Sequence, residues 1–292
     1  MNSPLPFALG LLPTLFLHQT KTDGERRCAA LGLKQRFAIA LTLFSIMRIS
    51  AASQELDPHS VQPERPTVAT HAGTVAPGWA ELEFGGELDR YADHTNGGSV
   101  PIVAKIGAAS HVQLSIFESA VDPAGRGGIG PGDVAVGVKW RMTDDGPLLG
   151  RFAILPIVKF PTGSTADGLG TGTTDATLVM ISSSEIEPVS LDVNASYTRR
   201  SGNGALAPTS AAFWTVSAGG SFARNFGWVG EVYGYPGTSG PSGRHATVAL
   251  LFGPTFAPRR YFSLDGGFIV PLTGPQPRAV YIGGVWNVGR LW

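Results

Sequence analysis

The residues with chemical capacity in this chain are carboxylates and cations placed two apart along extended runs. Glu81, Glu83, Glu87 and Asp89 alternate with Leu82, Phe84 and Leu88, and Lys139 and Arg141 alternate with Val138, Trp140 and Met142. Successive side chains of a strand point to opposite faces, so each run carries one charged face and one apolar face. Rows of ionised groups on a wall can attract, orient or select a solute; bond making needs a different arrangement. The sequence holds no Gly-x-Ser-x-Gly, no His-Glu-x-x-His and no cysteine pair, and its single cysteine is Cys28. His59, His71, His94, His111 and His245 are scattered over a tail, loops and strand starts without metal-ligand spacing, so neither metal nor cofactor is expected. Gly168-x-Gly170-x-Gly172 resembles a phosphate loop only superficially, because Thr173 to Met180 reads as a strand where a helix would have to open. Two Ser–His combinations, His111 near Ser115 and His245 near Ser263, leave a membrane-embedded hydrolase as an alternative.

The elements that position these charges are strands. Asp133 to Met142 sets Val134, Val136, Val138, Trp140 and Met142 against Asp133, Ala135, Gly137, Lys139 and Arg141. Val189 to Thr198 and Trp79 to Asp89 repeat the pattern, while 173–182 and 245–254 are small or apolar on both faces. Twelve such segments lie between Trp79 and Trp292. Breaks near 90–99, 122–131, 161–172, 199–210, 236–244 and 271–278 read as long; those near 108–110, 143–148, 183–188, 223–225 and 257–260 read as short. That alternation predicts an all-β fold: a closed antiparallel transmembrane barrel of about 12 strands, with short periplasmic turns and longer outer loops.

Runs of about ten residues can cross a bilayer when tilted. No apolar run reaches the length of a spanning helix, so strands would have to do the spanning, and an open sheet edge cannot be hydrogen-bonded in hydrocarbon. Aromatic residues near strand ends (Trp79, Tyr91, Trp140, Phe160, Tyr197, Trp228, Tyr235, Tyr261, Trp286 and Trp292) suit interfacial girdles. A charge such as Lys139 in mid-hydrocarbon would cost about 2–4 kcal/mol, so the charged faces turn inward. The expected pore lining is Glu81, Glu83, Glu87, Asp89, Lys105, Asp133, Lys139, Arg141, Arg151, Lys159, Asp192, Glu231 and Asp265, with an acidic first strand facing a basic patch across the lumen. The lumen is either a channel or a salt-bridged, filled or gated interior. Pro161, Thr162, Gly163, Gly168, Gly170 and Gly172 form the candidate gating loop, with an ordinary exposed loop as its alternative. A soluble periplasmic β-protein that binds a ligand is the remaining alternative.

Lys34-Gln35-Arg36, the apolar run Phe37 to Met47 and the small residues Ser50 to Ser53 have the layout of a secretory signal peptide. Residues 1–53 are therefore expected to be removed, with cleavage near Ala52 or Ser53. Of 22 basic and 22 acidic residues, residues 1–53 hold six and two, which leaves a mildly acidic remainder. That balance argues against nucleic acid as a partner. Residues 54–78 are a Pro-rich lead-in that either hangs in the periplasm or threads into the lumen, and 79–292 would form the barrel.

Arg65-Pro66-Thr67, Thr74-Val75-Ala76-Pro77-Gly78-Trp79-Ala80-Glu81-Leu82-Glu83-Phe84-Gly85, Gly132 to Lys139, and Leu155-Pro156 through Phe160-Pro161-Thr162-Gly163 carry a family resemblance. They resemble the MetA-pathway of phenol degradation family, a set of porin-like outer-membrane barrels. The resemblance implies a passive or gated outer-membrane channel in a Gram-negative cell, for small solutes including aromatic or hydrophobic ones. The expected barrel is a monomer that meets lipid and the barrel-insertion machinery. The terminal Trp292 fits such barrels, whereas Arg290 stands where an apolar residue is usual.

Overall fold

The structure, a computed structural model, describes residues 57–123, 129–146, 150–202, 208–237 and 246–292. The leader with Cys28, its cleavage point and His245 lie outside these residues. Period-two alternation becomes β1 (Trp79–Arg90), β2 (Asn96–Ala109), β3 (Val112–Asp122), β5 (Val134–Thr143), β6 (Arg151–Phe160), β7 (Asp175–Ile186), β8 (Val189–Arg200), β9 (Ser210–Ala223), β10 (Phe226–Tyr235), β11 (Thr247–Arg259), β12 (Phe262–Thr273) and β13 (Arg278–Arg290). A two-residue piece, β4 (Gly130–Pro131), pairs beside the end of β3. The twelve long strands run antiparallel, each beside its predecessor, and β1 pairs with β13 from Trp79↔Arg290 to Arg90↔Arg278. The sheet therefore closes on itself as a barrel, and each of the twelve long strands pairs on both sides.

Both ends of the barrel chain meet the same rim. That rim also carries the connections at 110–111, 144–150, 187–188, 224–225 and 260–261. The opposite rim carries 161–174, 201–209 and 236–246, and also two connections that are short, 91–95 and 274–277. The expected long breaks at 90–99 and 271–278 thus shrink, because β2, β12 and β13 extend into them. The polar composition of those stretches suited rim strands as well as loops.

Side-chain direction follows the pattern in β5: Val136, Val138 and Trp140 are exposed, whereas Ala135, Gly137 and Lys139 are buried. The valines face outward rather than into a gap between stacked sheets. Ile116, Phe252, Phe268, Val280 and Ile282, each more than half exposed, continue one apolar belt around the barrel. A belt of that breadth is a surface for hydrocarbon and not for water. Trp140, Phe160, Tyr197, Trp286 and Trp292 stand on its margins. Tyr235 departs from the expected girdle: it points inward and is 6% exposed.

The interior has two apolar patches. Phe117, Ala135, Leu155, Ile157, Val179 and Ile181 form one, and Phe213, Val229, Tyr233, Tyr235, Leu251, Ile269 and Tyr281 form the other. They explain why β7 and β11 read as apolar on both faces. If the belt meets lipid, Val138→Arg should destabilise the bilayer-inserted barrel by about 2–4 kcal/mol. Urea titration of vesicle-inserted protein checks this; a loss within about 0.5 kcal/mol, typical of a water-exposed surface site, would place that face outside hydrocarbon.

Candidate functional site

The lead-in segment occupies the barrel lumen. It enters at the short-turn rim, where Asn287 Nδ2 donates to Pro58 O (3.2 Å) and Val61 N donates to Arg260 O (2.8 Å). His59 stacks on Tyr261 and lies tilted against Trp79, with ring centroids 5.0 Å from each. The segment leaves at the same rim, where Gly78 N donates to Gly107 O at 2.8 Å and Pro77 pairs with Gly107. Between these points it climbs one side of the barrel and descends the other.

An irregular segment inside a barrel has no sheet to satisfy its backbone, and a buried unpaired amide costs about 1–3 kcal/mol. Wall side chains supply the acceptors here. Gln62 N donates to Glu81 Oε1 and Glu64 N to Glu83 Oε1, both at 2.8 Å. Val68 N and Ala69 N both donate to the Glu231 carboxylate at 2.7 Å. Asn194 pairs with Thr70 in both directions, at 2.7 and 2.9 Å. Ser183 Oγ accepts from Ala72 N at 2.7 Å and donates to Asp192, and Gln113 Oε1 accepts from Val75 N at 3.0 Å.

Ion pairs fix the same path. Lys105 Nζ lies 3.0 Å from Glu81 and 2.7 Å from Glu83, and it donates to Gln62 O. Lys139 Nζ donates to Glu64, to Thr70 Oγ1 at 2.8 Å and to His71 O at 2.9 Å. Arg65 reaches Asp265 at 3.3 Å. Gly85 and Gly283, paired across β1 and β13, leave the notch that seats its guanidinium: a Cβ on either would fall about 2.5 Å from it. His71 belongs to the lead-in and not to a spanning strand. Burial, aided by the neighbouring Lys139 charge, pushes its imidazole down to about 3. Burial alone would raise Glu64, but Lys139 and Lys105 override it and hold that carboxyl at about 2.

The expected transverse field is not built. Lys105 stands beside the acidic strand rather than opposite it, and Lys139 is neutralised by a lead-in residue, Glu64. Arg141 and Arg151 stand at the short-turn rim, paired with Asp144 (3.0 Å) and Glu185 (2.9 Å). Lys159 bridges Asp133 (2.5 Å) and Asp175 (3.4 Å) near the long-loop rim, and Arg200 joins Asp175 at 3.2 Å. Asp133 also pins the loop 161–172, accepting from Gly163 N and Thr171 N at 3.0 Å each. Thr162 Oγ1 donates to Gly132 O at 3.1 Å, and Gly170 packs so close that a Cβ would fall 2.4 Å from Asp133. Gly168 and Gly172 take positive φ, and Pro161 is exposed.

Glu64, Gln113, Ser183 and Asn194 join the site without a motif that marks them, and Arg65 stands in a family motif without a role attached to it. The usable signal was weak: Gln113 and Asn194 are amides on inward positions of alternating strands, a costly choice without a partner. His111 and Ser115 are not joined. His111 Nε2 lies 3.3 Å from Asp144, and Ser115 Oγ accepts from Gln113.

No family model matches the chain, and no curated protein sequence matches it. Solved structures share its fold. The COG4313 outer membrane channel from Pseudomonas putida F1 is 11% identical with a TM-score of 0.55, over 74% of this chain and 97% of that one. The KdgM porin in complex with disordered oligogalacturonate is 9% identical with a TM-score of 0.50, over 71% of this chain and 98% of that one. The chain thus has the fold of outer-membrane channel barrels.

Proposed function

We propose that this protein is an outer-membrane channel for small solutes, closed at rest by its own residues 58–78. The observation that carries this reading is the chemistry of the contact between lead-in and wall. The wall grips the segment through polar side chains and ion pairs rather than through a continuous β-ladder. Such contacts exchange for water when the segment leaves, so a wet passage lined by Glu81, Glu83, Glu87, Asp89, Lys105, Asp133, Lys139, Lys159, Asp192, Glu231 and Asp265 would remain. In this reading the gate is the lead-in, and the loop 161–172 is a fixed part of the outer rim. Phe213, Tyr233, Tyr235 and Tyr281 suit the aromatic or hydrophobic solutes implied by the resemblance to the phenol-degradation barrels. Export by a cleaved leader, delivery to the insertion machinery of a Gram-negative cell and a monomeric state belong to the same reading.

Removing residues 58–74 should raise single-channel conductance in planar bilayers several-fold; conductance equal to that of the full chain would sink the gating reading. Glu231→Leu strands the amides of Val68 and Ala69, at about 1–3 kcal/mol each. It should raise the open fraction at least tenfold, whereas Glu231→Gln, which keeps an acceptor, should do much less.

Acid should favour opening. A docked His71 stays neutral down to about pH 3, whereas a released imidazole takes up a proton near its usual 6.5. Docking therefore excludes a proton, and it weakens as pH falls through 6.5, by at most about tenfold per unit. Glu64 stays ionised above about pH 5, so His71 alone sets the response in that window among these two. Open probability measured from pH 7.5 to 5 should rise more steeply with acid in the native protein than in His71→Gln; identical profiles in the two proteins would contradict the assignment.

A further inference from the structure

Above the lead-in, towards the long-loop rim, lies a cavity of about 100 Å³. Its floor is Arg65 to Val68, and its walls include Glu87, Phe117, Tyr233, Leu251, Ile269 and Tyr281. Most of that wall is apolar, and two of its polar groups, Glu87 and Tyr281, keep an atom without a partner. Glu87 Oε1 and the Tyr281 hydroxyl are buried without a hydrogen-bond partner, as is Oδ1 of Asp89 just beyond the cavity, while the Glu87 and Asp89 carboxyls bond to each other through their other oxygens. Tyr281 is 5% exposed and Asp89 5% exposed. A buried polar group without a partner is costly, and several in one cavity mark a place where a ligand supplies the partners.

The sign of that ligand follows from the charges. Glu87 lies across from Tyr281 on β13 and Ser99 on β2, and Asp89 across from Ala279 and Gly97. These cross-strand neighbours bring no cation. Among the described residues neither carboxyl has an ion pair within 4 Å; the Arg65 guanidinium on the cavity floor acts on Glu87 from further off and is paired with Asp265. The body of the ligand follows from the walls. The Tyr281 ring lies along the barrel wall over Gly267 and Gly253, where a Cβ would fall 2.5 and 2.7 Å from its hydroxyl. The two glycines let the ring lie flat, and an aromatic face beside an acidic group is a place for an organic cation.

We propose that this cavity is a binding subsite for a small organic cation, its ammonium group held by Glu87 with Asp89 on the approach and its apolar or aromatic body against Phe117, Tyr233, Leu251 and Tyr281. The proposal rests on the channel reading and names its solute class. The subsite discriminates by charge first, since an anion would meet Glu87 without compensation.

The test is calorimetric titration of the full chain in maltoside detergent with benzylamine, benzyl alcohol and benzoate, alike in size and different in charge. Saturable binding of benzylamine, with benzyl alcohol and benzoate at least about tenfold weaker, is expected. Glu87→Gln should weaken benzylamine at least about tenfold, and Asp89→Asn by less. Asp175→Asn, at the distant Lys159 cluster, should leave it unchanged, and heat-modified gel migration checks that each variant is folded. Equal binding of the three probes, no binding of benzylamine, or full binding by a folded Glu87→Gln protein would overturn the subsite. Planar-bilayer conductance is read separately: a conducting barrel that ignores benzylamine refutes only the subsite, whereas binding without any conductance supports the subsite and refutes the channel.

Discussion

A peptide group in hydrocarbon has no solvent to bond with, and that constraint governs this chain from its first strand to its last. The sheet must close, so β1 must find β13 along its full length. Closure with an even number of long strands returns the end of β13 to the rim where β1 begins. Whatever precedes Trp79 therefore starts at the mouth of the lumen. The placement of the lead-in follows from that geometry; its capture follows from side chains.

The same rule operates inside the barrel in a different form. The lead-in cannot join the wall as another strand, because the wall's backbone groups are already paired with each other. Carboxylates, amides and hydroxyls on inward positions act instead as a second set of acceptors, one reach further in. Glu231 holds two successive amides, and Asn194 both donates and accepts, as a strand neighbour would. The inward charges of β1 and β2 thus do two things at once. They neutralise each other through Lys105, and they order a segment that has no regular structure of its own. Buried pairs of this kind contribute little net stability while their loss is expensive, which suits fixing one path among many.

The barrel was legible in the sequence because its signal is local and repeated. Val134 to Met142 alone gives strand, face and charge direction, and β8 repeats it. The connections 91–95 and 274–277, shorter than their surroundings suggest, show the limit of composition: Gly, Ser and Pro at a rim serve strand ends as readily as loops. Tyr235 shows another limit, since an aromatic at a strand end can point either way. The interior was the least legible part. Period two puts Lys139 on the inward face of β5, but its partner Glu64 is 75 residues away in a Pro-rich stretch with no periodicity. A pattern of period two reports which face a residue is on. It carries no information about what fills the space that face encloses.

The contacts of Arg65 carry a consequence for assembly. Its guanidinium rests in a notch that exists only once β1 and β13 are side by side, and its carboxylate partner is on β12. The part of the barrel unit synthesised earliest therefore finds its resting place only after the most distal hairpin arrives, the costliest ordering for chain entropy. Occupancy of that notch is a report, written into the finished molecule, that the cylinder has been sealed.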